Sequence, residues 1–256
     1  MPNDLPHLLV YFMAHIIRTA YSLAILFSCL TFFAINTVSA SVTLLGNRVI
    51  YPAEVREKTL QFTNDDDVPA LIQIWLDTNN PKSTPENADA PFIVSPQIFR
   101  MNPHSGQMVR LMYVGKALPA DRESLFYLNF LQVPAVKQTD SEKNKLMLLL
   151  TNRLKVFYRP EGLEGDANHV IEQLHIQYAG KSLHISNPTP YYANVSHAVI
   201  LNGKNRTSIE QADMLPPYSQ VSWPLNGELA SGALKTTLSV INDYGVEIPR
   251  TLSVTR

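Results

Sequence analysis

Cysteine is almost missing from this sequence: Cys29 is the only one in 256 residues. It lies inside an apolar N-terminal run, so the chain beyond that run has no disulfide, no thiol nucleophile and no thiolate metal ligand. An excess of charge of either sign is also lacking. Lys and Arg number 21 and Asp and Glu 22, for a net charge of -1, which leaves no electrostatic footprint for nucleic acid or an anionic membrane. Glycine is sparse beside proline, 10 against 18. No Gly-rich phosphate loop is present, and GxSxG, HExxH and CxxC do not occur. His104, His169, His175, His184 and His197 have no metal-ligand spacing among them. No catalytic residue, metal, cofactor or small-molecule substrate is therefore expected.

Long hydrophobic runs are confined to one place. After a weakly basic patch, His15 to Arg18, an apolar stretch runs from Ala20 to Ala34 and ends in Thr37-Val38-Ser39-Ala40. Small residues at that end suit cleavage after Ala40, so residues 1–40 read as a secretory signal peptide; a retained membrane anchor is the competing reading. A lipoprotein cleavage before Cys29 is disfavoured by the bulky Phe27. An exported chain without disulfides must be held by its core alone, which two domains of about a hundred residues can supply.

From Ser41 onward the pattern has period two. Apolar–polar alternation runs through 42–51, 59–64, 70–77, 92–101, 107–113, 124–133 and 145–158, with turn residues between the runs. Seven short strands at this spacing predict an all-β sandwich over 41–160, with Trp75 as a candidate buried aromatic. Pro160-Glu161-Gly162-Leu163-Glu164-Gly165 breaks the alternation and places a hinge at 161–165. Strand-like runs at 173–178, 182–186, 191–201, 219–223, 235–241 and 249–254 predict a second, smaller sandwich over 166–256. Two sandwiches leave a cleft at their junction, a usual place for binding.

Several segments carry a resemblance. Leu118-Pro119-Ala120-Asp121-Arg122-Glu123-Ser124-Leu125-Phe126-Tyr127-Leu128-Asn129, closed by Pro134, resembles the signature of the periplasmic pilus-assembly chaperones of the chaperone–usher family. Phe130 stands where that family usually has an aliphatic residue. Gly46 to Pro52, Thr151 to Pro160, Asn187 to Tyr192 and Ile241 to Gly245 resemble further family segments, in the same order. The resemblance implies two immunoglobulin-like β-sandwich domains at an angle and no enzymatic activity. It implies a periplasmic location, pilin subunits as partners, delivery to an outer-membrane usher, and self-association of the unliganded protein.

The resemblance also implies residue roles. Leu146, Leu148 and Leu150 match the alternate side chains with which an edge strand fills a pilin's open groove, a form of strand addition. From the residues alone, Lys145 to Leu150 is apolar on both faces and fits equally a strand buried within the protein. Arg48 and Lys155 match a basic pair that clamps the subunit's C-terminal carboxylate, although most Arg and Lys are solvated surface charges. Glu123, Arg159 and Asp243 match an inter-domain ion-pair network. Strict alternation puts Lys155 on the face opposite to the three leucines, so either the two faces serve different ends or a bulge intervenes. The stretch from Pro134 to Asn144 is short, which in this family suits rod-like pili. A structural pilus subunit or adhesin is the alternative, disfavoured by the absent disulfide and the second sandwich; an exported hydrolase is a third.

Overall fold

The computed structural model describes residues 13, 15, 17–19, 21, 22, 42–115, 117–135, 149–209 and 212–256. Residues 1–40 and 41–256 are separate units. The leader reading, like Leu146 and Leu148, falls almost wholly outside the described residues. No helix among the described residues is long and apolar enough to cross a membrane.

The described residues of 42–159 build the first sandwich from nine strands. One sheet has the order β1 (Val42–Leu44), β3 (Lys58–Asn64), β7 (Ser105–Tyr113), β5 (Phe92–Ser95). The other has the order β2 (Arg48–Pro52), β9 (Leu150–Arg159), β8 (Ser124–Pro134), β4 (Ala70–Asp77), β6 (Ile98–Met101). The alternation that predicts strands also decides which face is buried: in β3, Leu60, Phe62 and Asn64 point inward while Gln61 and Thr63 are half-exposed. Aromatic edges fill the space between the sheets. Phe62 meets Phe130 at 5.2 Å and 88°, and Phe92 meets Phe126 at 5.2 Å and 74°, arrangements that suit the ring quadrupoles. Each such side chain contributes roughly 1.5–3 kcal/mol by burial.

Two runs read as single strands are each divided between the two sheets. The 42–51 run breaks at Gly46, whose φ of +91° only glycine adopts freely. β1 therefore pairs antiparallel with β3, while β2 crosses to the other sheet and runs parallel to β9. The 92–101 run breaks at the cis Ser95–Pro96 bond, leaving β5 and β6 in different sheets. Trp75 is buried, but outside the aromatic core: it faces the other side of its sheet and donates to Ser83 Oγ at 2.9 Å.

The second sandwich pairs a sheet β10 (His175–Ala179), β11 (Ser182–Asn187), β14 (Ser219–Pro224) with a sheet β13 (Asn205–Ser208), β12 (Val195–Asn202), β15 (Leu234–Ile241), β16 (Glu247–Val254). A 3₁₀ turn, Ala167–Gln173, leads into it. Leu183, Ile185, Trp223 and Leu238 form its centre. β13 has no counterpart in the strands expected from sequence, because Asn205-Arg206-Thr207-Ser208 is polar on both faces and sits at an edge.

Candidate functional site

β9 is flanked unequally. β8 pairs with it along all but its last residue, from Ser124 opposite Tyr158 to Gln132 opposite Leu150, without a register shift. β2 covers its other side only from Lys155 to Arg159. Over Leu150 to Leu154 that second edge has no strand partner among the described residues. Leu149 and Leu150 are exposed there, Leu150 at 66%. Unbroken alternation places Leu150 on the side of Leu154, Val156 and Tyr158, which pack into or against the first core. Lys155 and Phe157 lie on the opposite side. No bulge intervenes within the described part of β9, so Leu150 and Lys155 lie on opposite faces of the sheet.

The crossover at Gly46 has a direct consequence for Arg48. It puts Arg48 opposite Lys155 in the parallel ladder. Both side chains turn toward the second sandwich. Arg48 Nη1 donates to the carbonyl of Ile241 at 3.0 Å, and its Nε donates to Asn47 Oδ1 at 3.0 Å. Lys155 Nζ donates to Asn194 Oδ1 at 2.8 Å. Among the described residues neither cation has a carboxylate within ion-pair distance. Burial, and then the charge of Arg48, hold the Lys155 ammonium below its ordinary pKa. Burial lowers Arg48 too, opposed by Asp243.

Glu123, Arg159 and Asp243 come together beside this pair. Arg159 Nε donates to Glu123 Oε1 at 2.8 Å, and Arg159 Nη1 and Nη2 donate to the two oxygens of Asp243 at 2.7 and 3.0 Å. Glu123 and Arg159 belong to the first sandwich and Asp243 to the second. Glu123 is 4% exposed. Its Oε2 accepts from the backbone N–H of Tyr192 at 2.8 Å, and its own N–H donates to the Pro190 carbonyl at 2.9 Å. That backbone is shaped locally: the Asn187 amide holds Thr189, Tyr191 and Pro216, fixing the turn that presents Tyr192. Burial pushes the Glu123 carboxyl up and outweighs the Arg159 charge and the Tyr192 N–H that favour ionisation. For Arg159, burial acts downward but the bonds to Asp243 and the two carboxylate charges prevail, raising it above its ordinary value. Arg159 is thus fully occupied, whereas Arg48 and Lys155 hold only neutral acceptors.

A second buried network has no place in the sequence reading. Asp77 is fully buried and accepts from Arg153 Nη1 and Nη2 at 2.6 and 2.7 Å, Asn129 Nδ2 at 2.6 Å and Ser83 Oγ at 2.7 Å. The N–H groups of Asn79 and Asn80 complete it at 2.8 and 2.7 Å. The sequence signal was an Asp closing an apolar run before Asn-Asn-Pro, the mark of an Asx turn. Arg153 is thereby pinned where β9 begins to lose its second neighbour. Burial acts to raise Asp77, but the bonds from Arg153, Ser83, Asn129 and Asn80 hold it far below the usual carboxylate range. A depressed carboxylate contributes stability that is present above its ordinary value of 3.8 and lost as pH falls. Asp77→Asn is expected to cost about 2–3 kcal/mol in urea unfolding at pH 7 and to flatten the acid limb of stability. An unchanged acid limb would mean that Asp77 is not the group titrating there.

Comparison with known proteins decides the family. Residues 41–164 match the model of the pili and flagellar-assembly chaperone, PapD N-terminal domain, and residues 169–252 match that of the pili assembly chaperone PapD, C-terminal domain. The chain belongs to the pilus-assembly chaperone family. It is 37% identical over 227 residues to the chaperone protein MrkB of Klebsiella pneumoniae, covering 87% of this chain and 95% of that one. It is 35% identical over 216 residues to the chaperone protein FimB/FhaD of Bordetella pertussis, covering 82% and 86%. Among solved structures, the YadV chaperone superposes with a TM-score of 0.72 at 31% identity, over 84% of this chaperone and all of that chain. A complex of the SafA pilin with the SafB chaperone from Salmonella enterica gives 0.69 at 26% identity, over 85% and 98%. These relatives favour the chaperone over the pilus-subunit and hydrolase alternatives.

Proposed function

We propose that this chaperone captures pilin subunits in the periplasm by donor-strand complementation and delivers them to an outer-membrane usher. On this reading residues 1–40 direct export and are removed after Ala40. The observation that carries the proposal is the half-covered β9. From Leu150 to Leu154 it offers backbone donors and acceptors along an edge with no strand partner among the described residues, and its core-side row carries an exposed leucine at position 150. A subunit lacking the last strand of its own sandwich has the complementary need. Leu146 and Leu148 share the parity of Leu150 and extend the row by sequence. Three buried leucines supply roughly 5–9 kcal/mol before ordering costs. A free edge of this kind also favours pairing with a second copy, which supports self-association of the unliganded protein.

Arg48 and Lys155 supply the register. Two adjacent cations without carboxylate partners make a site for a terminal carboxylate, held by charge-assisted hydrogen bonds. A subunit fixed by its last residue lies along β9 in one alignment only, which sets leucines against groove. The Arg159 network ties the sandwich that bears the cations to the one that faces them.

The test is co-expression with a pilin subunit of the same system, followed by purification from the periplasm. A stable one-to-one complex is expected. Leu150→Glu should abolish it while leaving the melting temperature of the free protein unchanged, because residue 150 is exposed before capture. Retention of the complex by that variant would sink the proposal.

A further inference from the structure

Asn194 stands immediately before β12 and is 4% exposed. Its Oδ1 accepts from Lys155 Nζ. An ammonium has three donors and no acceptor, so the amide must offer it oxygen, and the orientation of the amide is dictated by this partner. The Nδ2 end is then left over. It is buried and has no hydrogen-bond partner among the described residues. Buried amide donors are normally satisfied, and one left over beside two cations requires an acceptor.

The surroundings select which acceptor. Arg48 and Asn194 line one cavity and meet at the same residue: the Ile241 carbonyl accepts from Arg48 Nη1, and the Ile241 N–H donates to the Asn194 carbonyl at 2.9 Å. The nearby carboxylates are engaged elsewhere, Glu123 by Arg159 and the Tyr192 N–H, Asp243 by Arg159. The backbone is fixed on both sides of Asn194, by the Ala193–Leu215 bridge and the pairing of Val195 with Val240. The free donor is therefore preorganised next to the cations.

We propose that Asn194 is a third donor of the carboxylate anchor, contributed by the second sandwich: its Nδ2 binds the same subunit carboxylate that Arg48 and Lys155 hold. A carboxylate accepts at about four lone-pair positions, enough for all three groups. The inference rests on the anchor reading above and deepens it. It makes the anchor a joint product of both sandwiches, so that their mutual placement is read out by subunit capture. Asn194 has two roles here, holding Lys155 with one end and the ligand with the other.

Two synthetic peptides copying the last strand of a pilin subunit, one ending in a free carboxylate and one in a carboxamide, test this by calorimetry on the full chain. The parent is expected to prefer the free acid by about a hundredfold. Asn194→Ala and Asn194→Leu should each reduce that preference by about tenfold through the acid alone, with carboxamide binding unchanged. Leucine fills the buried volume without polar atoms and keeps the test open if alanine unfolds the protein. If Asn194 merely restrains Lys155, both variants free the ammonium and the acid preference holds or rises, overturning the proposal. Equal weakening for both peptides reduces Asn194 to a folding role and overturns it as well. Lys155→Met is the control: a parent that does not distinguish the peptides, together with a Lys155→Met variant that binds as the parent does, refutes the anchor itself.

Discussion

Lys155→Met is expected to weaken subunit capture by about a hundredfold or more while leaving the melting temperature of the free protein within a few degrees. The loss follows from geometry. Lys155 is half-buried beside Arg48, and its hydrogen-bond partner among the described residues is the Asn194 amide. Methionine keeps the length of the side chain and deletes the charge. A bound carboxylate then loses one of its two cations in a partly desolvated site, where such a truncation costs several kcal/mol. Stability has opposing contributions. The substitution removes a desolvated charge and its repulsion from Arg48, and it strands the Asn194 Oδ1. These effects nearly offset, so a large loss of binding without a large loss of stability is the signature of an anchor.

The pH dependence has a definite sign. In the free protein the Lys155 pKa lies below its ordinary 10.5, from burial first and Arg48 second. A bound carboxylate raises it, so the complex retains the proton more tightly than the free chain does. Affinity therefore falls as pH rises through the free-chain value, which lies below that of an ordinary lysine. This limb should vanish in Lys155→Met. Titration calorimetry between neutral and alkaline pH measures it, and an identical alkaline limb in parent and variant assigns the titration to another group.

Much of this was legible because local patterns carry it. Period-two alternation marked most strands, and the segment from Leu118 to Pro134 carried the family likeness residue by residue. The likeness singled out Glu123, Arg159 and Asp243, which the structure places in contact, although nothing in their local spacing joins them. Other features depend on tertiary juxtaposition. Gly46-Asn47-Arg48 interrupts the apolar positions of 42–51 and the buried parity changes across it, from Val42 to Val49 and Tyr51, but a break of this kind fits a bulge as well as a change of sheet; the structure decides through the positive φ of Gly46. Asn194 gave no signal of such a role. By sequence it only opens Asn194-Val195-Ser196, a glycosylation-acceptor pattern that recurs by chance, and its significance arises only when Lys155, some forty positions earlier in the chain, claims one end of its amide. Asp77 was legible as a turn former but not as the acceptor for Arg153, since that pairing spans three strands of one sheet.

Arg159→Met should destabilise the protein by about 3–5 kcal/mol, and the deficit should shrink as pH is lowered from 7 toward 5. The magnitude is that of breaking a buried pair on one side only. Arg159 faces two carboxylates, and Glu123 is the one that cannot return to water: it is buried and held to Tyr192 and Pro190 by the backbone of the second sandwich. Even with Arg159 present, burial pushes the Glu123 carboxyl above its ordinary 4.5. Removing the guanidinium takes away the largest influence opposing burial, so the carboxyl moves further up. A carboxyl whose folded pKa exceeds the unfolded value binds more protons when folded, so its cost is greatest above the folded pKa and is relieved as pH falls through that value. Acid should therefore rescue Arg159→Met in part, whereas a variant that had simply lost packing would not respond. Glu123→Gln in the Arg159→Met background should achieve the same rescue at neutral pH, because the neutral amide does not need a cation. Urea unfolding of the two variants at pH 5 and pH 7 separates the cases. If Arg159→Met is equally unstable at both pH values and Glu123→Gln adds to its deficit, the network contributes through hydrogen bonding alone. Arg159→Met should also weaken capture beyond its effect on folding, because Arg48 and Lys155 sit on one sandwich and Ile241 and Asn194, which hold them, on the other. With the link through Asp243 gone, those two halves of the anchor are no longer held in register.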